Sequence, residues 1–351
     1  ILRQWTTFHP EFAYLPRKFK IAINGAKEDR AAIAVHDIGL SVVKNDAGEV
    51  GFKVMVGGGM GRTPILGSVI REFLPWQHVM TYLEAILRIY NQFGRRDNIY
   101  KARIKILVKA LGIEEFARLV EEEWQDIKGG PGTLTEAELA RVAAYFTDPE
   151  YKALPETDAE FVRLQAENKA FSNWVKRNVK AHKKAGYAAV VLSLKKPGVP
   201  PGDASADQLD FIADLADRYS FGEVRATHEQ NLVLADVEQS QLFGLWQEAK
   251  AHGLATPNIG LLTDMICCPG GDFCSLANAK SIPIALDITD RFNDLDYLHD
   301  IGELELNMSG CINACGHHHV GNIGILGVDK DGSEWYQVSI GGAQGNQSAI
   351  G

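Results

Sequence analysis

Two stretches of this chain carry the same three segments in the same order. At residues 15–62, LPRKFKIAINGA leads to HDIGLSVVKND and then to GFKVMVGGGMGR. At residues 304–346, LELNMSGCINAC leads to GNIGILGVDKD and then to WYQVSIGGAQGN. Such a repeat requires one module to be built twice, which limits the fold more than any single motif does. Matched by letter, it sets Lys18-Phe19-Lys20 opposite Asn307-Met308-Ser309 and Asn24-Gly25-Ala26 opposite Asn313-Ala314-Cys315, on equivalent strand ends. Packed about a pseudo-two-fold axis, the two copies would turn both ends toward one central site.

The rest of the chain supplies material for further modules. Its 351 residues, 46% apolar and 23% charged, suffice for more than one core, so two or three modules are expected. Residues 76–92 carry Val79, Tyr82, Leu83, Ile86, Leu87 and Tyr90 at helical spacing, stopped near Gly94. A second helix is expected from near Tyr100, with Ile104, Leu107, Val108 and Leu111 on its apolar stripe and Arg103 and Lys105 off it. Lys128-Gly-Gly-Pro-Gly132 breaks the pattern and opens a polar stretch. After it, AAVVLSL at 188–194 reads as a buried strand, and Ser205-Ala-Asp-Gln208 as a capping box for a helix through Leu209 and Ile212. Strands near 223–227 and 232–235 and a helix through Leu242 and Trp246 complete a compact α/β module at about 171–255. Because that module precedes the second copy, a matching one is expected before the first; with Ile1 at the start and a turn at Gly345–Gly351, both ends are expected to be cut.

No apolar run reaches the roughly 18 to 20 residues that span a bilayer, and the opening lacks the layout of a signal peptide, so no membrane partner and a cytoplasmic setting are expected. A net charge of −9 counts against nucleic acid as a partner. Five cysteines are an odd number and too few for a disulfide scaffold, which points to metal or redox chemistry.

Four of those cysteines fall in two pairs. Cys268 and Cys274 form C-x5-C, Cys311 and Cys315 form C-x3-C, and both pairs sit beside Gly-rich turns. Four thiolates complete one cubane, each iron taking one sulfur from protein. A four-cysteine zinc site is the rival, although zinc pairs usually use tight C-x2-C knuckles. Cys267 stands outside the pairing and reads as a small buried hydrophobe or an outer group.

Here the chain resembles the sirohaem-containing sulfite and nitrite reductases. The resemblance rests on C-x5-C followed by Gly310-Cys-Ile-Asn-Ala-Cys-Gly316 and on Leu15-Pro-Arg-Lys-Phe-Lys20. It extends to Val56-Gly-Gly-Gly59, Gly94-Arg-Arg-Asp97 leading to Lys101-Ala-Arg-Ile-Lys105, and Arg225-Ala-Thr-His-Glu-Gln-Asn231. It implies an α+β fold of repeated ferredoxin-like and larger α/β modules about a pseudo-two-fold axis, divided at 1–165, 166–256 and 257–351. The implied cofactors are sirohaem and a [4Fe-4S] cluster, with Cys268, Cys274 and Cys311 as cluster ligands and Cys315 bridging cluster and sirohaem. Lys18 and Lys20, on one face of a strand at i, i+2, would bind the substrate anion and supply protons. Arg103, with Arg62 and Arg96, would hold sirohaem carboxylates, and Asn313 would pack on the macrocycle.

The implied activity is six-electron reduction of sulfite to sulfide. The alternatives are assimilatory reduction of nitrite to ammonia, or an inactive iron–sulfur electron-transfer subunit. Without a flavin or nicotinamide motif, electrons are expected from a flavoprotein reductase or a ferredoxin. Three motifs are set aside. Gly57-Gly-Gly-Met-Gly61 has Arg62 where a dinucleotide loop needs glycine, His317-His318-His319 reads as packing beside the cluster, and Arg225, Thr227, Gln230 and Asn231 read as a structural counterpart of a sirohaem motif lying upstream.

Overall fold

The computed structural model describes all residues, 1–351. They form two compact units, Ile1–Thr147 with Ala343–Ile350, and Asp148–Gly342 with Gly351.

The first unit is built on a sheet of four strands in the order β1 (Ile21–Asn24), β2 (Ile38–Lys44), β3 (Val50–Val56) and β4 (Ser68–Pro75). β1 runs parallel to β2 and the other pairs are antiparallel. Alternation along the strands turns Ile38, Leu40, Val54 and Val56 to one side, all fully buried. Helix Val79–Phe93 answers with Tyr82, Leu83, Ile86 and Tyr90, and helix Ile113–Ile127 with Phe116, Val120 and Trp124. Each such side chain contributes roughly 1.5–3 kcal/mol by burial. A 3-10 turn at Ile99–Lys101 and a helix at Ile104–Leu111 occupy the stretch where one helix from near Tyr100 was expected. Asn346 binds the second copy's last turn into this unit, accepting from the Asp29 N–H at 2.8 Å and donating to the Lys27 carbonyl at 3.0 Å.

The second unit contains two sheets. In the first, β5 (Val179–Ala181), β6 (Tyr187–Leu192), β7 (Val224–Ala226) and β8 (Leu232–Glu238) pair antiparallel in the order 5-6-8-7. Helices Lys169–Asn178, Ala206–Tyr219 and Leu242–Ala251 bury Phe171, Trp174, Leu215 and Leu245 in the same core as Val190 and Leu234. The capping box forms as expected: Ser205 Oγ accepts from the Gln208 N–H while the Gln208 side chain accepts from the Ser205 N–H. The other sheet has the order 12-11-10-9, from β9 (Ile266–Cys267), β10 (Leu306–Ser309), β11 (Ile323–Lys330) and β12 (Ser333–Ile340). The class is α+β with a repeated module, and no helix is long and apolar enough to cross a membrane.

The repeat is real, but its first segment has a different register from the one read by letter. Ile21 pairs with Ile38, and Leu306 with Ile323. Ala22-Ile23-Asn24 therefore corresponds to Asn307-Met308-Ser309, and Lys18-Phe19-Lys20 to Glu303-Leu304-Glu305. Hydrogen bonds outside the ladder agree. Asp37 Oδ2 accepts from the Lys20 N–H at 2.9 Å, and Asn322 Oδ1 from the Glu305 N–H at 2.8 Å. Both copies also place a left-handed residue, Ala32 or His317, before a 3-10 turn that leans on a glycine. A Cβ on Gly39 would lie 2.5 Å from the Ile33 carbonyl oxygen, and one on Gly324 2.0 Å from that of His318. The letters mislead because Asn313-Ala-Cys315 resembles Asn24-Gly-Ala26 by chance, whereas strand pairing fixes the register.

Candidate active site

The cysteines lie on two loops in the second unit, laced together by backbone bonds. Cys268 follows β9 directly, and its N–H donates to the Met308 carbonyl on β10 at 3.1 Å. The loop then turns tightly: the Cys274 N–H donates to Gly270 O at 2.9 Å, and the N–H groups of Asn278 and Ala279 both donate to Gly310 O, at 2.8 and 3.1 Å. Gly310, immediately before Cys311, has its Cα side so near Gly270 that a Cβ would stand 2.7 Å from the Gly270 Cα. The second loop closes on itself through Ala314 N–H to Cys311 O at 3.2 Å and Gly316 N–H to Ser309 Oγ at 3.0 Å. Glycine at 316 is obligatory, since a Cβ there would lie 1.9 Å from the Met308 oxygen.

One contact speaks directly to iron–sulfur chemistry. The Gly310 N–H donates to Cys268 Sγ at 3.0 Å. An amide aimed at a sulfur stabilises the thiolate form that a cluster iron needs. Cys311 is buried, Cys268 and Cys274 half-buried, and Cys315 exposed, with no disulfide among them. No three His, Cys, Asp or Glu side chains converge as they would on a single ion. A cubane asks for a different set, four thiolates each on its own iron, and two glycine-rich loops carrying the paired cysteines fit that demand. Cys267 is separate: burial pushes its thiol up to about 12, and its S–H donates to the Cys268 carbonyl at 3.3 Å. Asn313 is exposed on the second loop. His318 is buried with both ring nitrogens unpartnered, and burial, with His319 and His317, lowers its pKa to about 4.

In the first unit, Lys18 and Lys20 are both exposed, in extended chain just before β1 rather than within it. The ladder continues to them through the Ile38 N–H, which donates to Lys20 O at 3.2 Å. Lys18, with Arg3 and Arg17, lines an open groove of about 740 Å³ floored by Leu15, Phe19, Ile21 and Leu87. The three arginines differ sharply. Arg62 is exposed on the Gly-rich turn. Arg96 donates to the carbonyls of Tyr14 and Asn91, both at 2.9 Å. Arg103 grips Asp37 with Nε at 3.0 Å and Nη2 at 2.7 Å, and Asp37 is fully buried. Neither Arg96 nor Arg103 therefore stands as an uncommitted cation.

The roles of two residues were not read from the sequence. Asp37 joins Arg103 to the backbone of Lys20, and the repeat carried the clue, because the second copy has neutral Asn322 at that place. Lys105 lies off the apolar stripe of its helix yet is buried, donating from Nζ to the Met60 carbonyl at 2.8 Å and the Thr63 carbonyl at 2.5 Å. It clasps the Gly-rich turn, and burial, reinforced by Arg103, lowers its pKa to about 8.

Comparison with known proteins places two stretches of the chain in named domain families. The model of the nitrite and sulphite reductase 4Fe-4S domain matches residues 1–128, and that of the nitrite/sulfite reductase ferredoxin-like half domain matches 194–252. A ferredoxin–nitrite reductase of Synechococcus elongatus is 29% identical, over 97% of this chain and 60% of its own length. A sulfite reductase [ferredoxin] 2 of Mycolicibacterium paratuberculosis is 28% identical, over 97% and 56%. The chain thus spans between half and two thirds of the length of these relatives. The structure of the Mycobacterium tuberculosis NirA protein superposes with a TM-score of 0.72 at 24% identity, over 99% of this chain and 59% of that one, a likeness of fold. With two of their domain models matched in sequence order and relatives of both names over nearly its whole length, the chain carries domains similar to those of the nitrite and sulphite reductases.

Proposed function

We propose that the chain forms part of an enzyme that reduces sulfite to sulfide by six electrons, with nitrite to ammonia as the alternative substrate chemistry. The observation that carries this reading is the lacing of the two cysteine loops, with an amide N–H already aimed at Cys268 Sγ. Cys268, Cys274 and Cys311 would hold the cluster, and Cys315 would serve both the cluster and sirohaem. When bound, this pair of groups stores and delivers single electrons at the substrate atom. The protein residues do the rest. Lys18 and Lys20 attract the anion and give protons from Nζ to its departing oxygens, Asn313 would pack on the macrocycle and Arg62 would hold its carboxylates, and both side chains are exposed. Arg96 and Arg103 serve sirohaem only by exchanging their present partners, or by holding the segments that carry the lysines. The chain reads as three modules, 1–165, 166–256 and 257–351.

Electrons come from a separate donor, and relatives named as ferredoxin-dependent favour ferredoxin over a flavoprotein. Relatives bear both substrate names, so both substrates enter the test. Reduction of sulfite and of nitrite is measured in the purified holoenzyme with a chemical electron donor, alongside Lys18→Met/Lys20→Met. Loss of an anion contact worth about 1–3 kcal/mol lowers kcat/KM roughly tenfold to a hundredfold with cofactor content unchanged. Undiminished turnover in the double variant removes both lysines from the mechanism, and turnover of nitrite alone reverses the choice of substrate.

A further inference from the structure

The motif Arg225-Ala-Thr-His-Glu-Gln-Asn231 reads in sequence as a structural counterpart, and the structure gives its last two residues a full set of partners. The segment folds into a tight turn. The Thr227 N–H donates to Asn231 O at 2.9 Å, the Gln230 N–H to Thr227 O at 3.3 Å, and the Asn231 N–H to Thr227 Oγ1 at 3.1 Å. Gln230 takes a left-handed conformation, φ 60°, a strained choice for a residue with a Cβ. Beneath it Gly202, also left-handed, leaves room that a Cβ would close, since that atom would lie 2.8 Å from the Gln230 Cβ.

The turn is tied down from below by a buried ion pair. Asp264 Oδ1 accepts from Lys195 Nζ at 2.9 Å and from Asn231 Nδ2 at 2.9 Å, and its Oδ2 accepts from the Gly260 N–H at 3.0 Å. Lys195 Nζ donates also to Glu229 O at 2.7 Å, and Asn231 Oδ1 accepts from the Leu194 N–H at 3.1 Å. The side chains of Lys195 and Asp264 are 1% and 5% exposed. A strained residue held this firmly points toward a task at its free end.

That end reaches the peptide just before the first cluster cysteine. Gln230 Oε1 accepts from the Cys267 N–H at 2.8 Å, and Gln230 Nε2 donates to the Cys267 carbonyl at 2.9 Å. These are the two bonds that a neighbouring β-strand would make. On its other side β9 is paired with β10, Met308 opposite Cys267. The segment leading into the first cysteine loop is therefore held on both edges, by the Gln230 amide at Cys267 and by the Cys268 N–H donating to Met308 O on β10.

We propose that Gln230 is a positioning residue for the cluster loop: acting as a one-residue strand, its amide fixes the Cys267 peptide and through it the direction of the Cys268 thiolate. The inference rests on the reading of Cys268 as a cluster ligand. It gives the ferredoxin-like half domain a second role, as a mechanical support that reaches the metal centre through Gln230 and Asn231.

Gln230→Gly is the informative variant, because glycine removes the amide and relieves the left-handed backbone together. Gln208→Ala, which opens the distant capping box of the same half domain, is the control for general loosening. Holoenzyme purified without oxygen is exposed to air, cluster bleaching is followed by absorbance, and thermal unfolding is recorded in parallel. Gln230→Gly should bleach about tenfold faster than the parent, the size expected for an outer-shell contact, without a lower melting temperature. Gln208→Ala should melt earlier and bleach at the parent's rate. Bleaching of Gln230→Gly within twofold of the parent, or equal acceleration in both variants, overturns the clamp alone. A parent that holds no cluster overturns the cluster assignment and the clamp with it.

Discussion

Arg103→Met tests the network that ties the lysine segment to the helical layer. Asp37 is fully buried, and its carboxylate has four polar contacts: three with the Arg103 guanidinium and one with the Lys20 N–H. Removing the guanidinium leaves a buried charge with one neutral donor. Breaking a buried pair in this way costs about 3–5 kcal/mol, most of it the penalty of the stranded charge. Asp37→Asn is milder, because Asn322 shows that a neutral amide can cap the equivalent backbone N–H. Arg103 is also partly exposed, at 13% of its side chain, so water can reach it once unpaired. The double variant Asp37→Asn/Arg103→Met strands no charge and should lose roughly 1–2 kcal/mol, less than Arg103→Met alone. Urea unfolding of all four proteins, with the slope checked for constancy, gives the cycle. If Arg103→Met falls within about 1 kcal/mol of the parent, or the two single losses simply add, Asp37 is not a stranded buried charge and the reasoning fails.

Other outcomes follow from single positions. Gly316→Ala sets a Cβ against the Met308 oxygen, so it should prevent the second cysteine loop from closing and abolish iron loading; normal iron per chain would show that the loop adapts. Cys267→Ala should leave iron content intact, whereas Cys268→Ser should lower it, and iron loss in Cys267→Ala would revise the ligand set. His318 has its pKa lowered to about 4, so the folded state resists a proton that the unfolded state accepts below about 6.5. Its contribution is therefore complete above about pH 6.5 and is lost as pH falls toward 4. The first copy has Ile33 at this place, and His318→Ile should gain on the parent increasingly between pH 6.5 and 4.5 in denaturant unfolding, whereas a pH-independent difference would contradict the assignment.

Much of this architecture was legible because local patterns and tertiary packing agree. The stripe from Val79 to Tyr90 and the Ser205–Gln208 box fall where their sequence patterns put them, and the strand expected at 188–194 forms at Tyr187–Leu192. The placing of Cys268, Cys274, Cys311 and Cys315 on two tight glycine-rich loops was legible because glycines beside the thiols have few other uses. Register was not, since strand pairing depends on partners distant in sequence, and Lys18 and Lys20 fell outside the strand for the same reason. Nor were the roles of Asp37, Lys105 and Gln230, because a polar residue's partner is chosen by tertiary proximity. Lys105 departs from its helix's apolar stripe and still ends buried, since two carbonyls of the Gly-rich turn are there to receive its Nζ.

The assignment of a cluster coupled to sirohaem is most directly tested by iron and acid-labile sulfide analysis of the anaerobically purified protein, read with its visible spectrum. It predicts about five irons and four sulfides per chain, one iron belonging to a tetrapyrrole with its own absorption bands. Stoichiometric zinc without labile sulfide or tetrapyrrole absorption would contradict it.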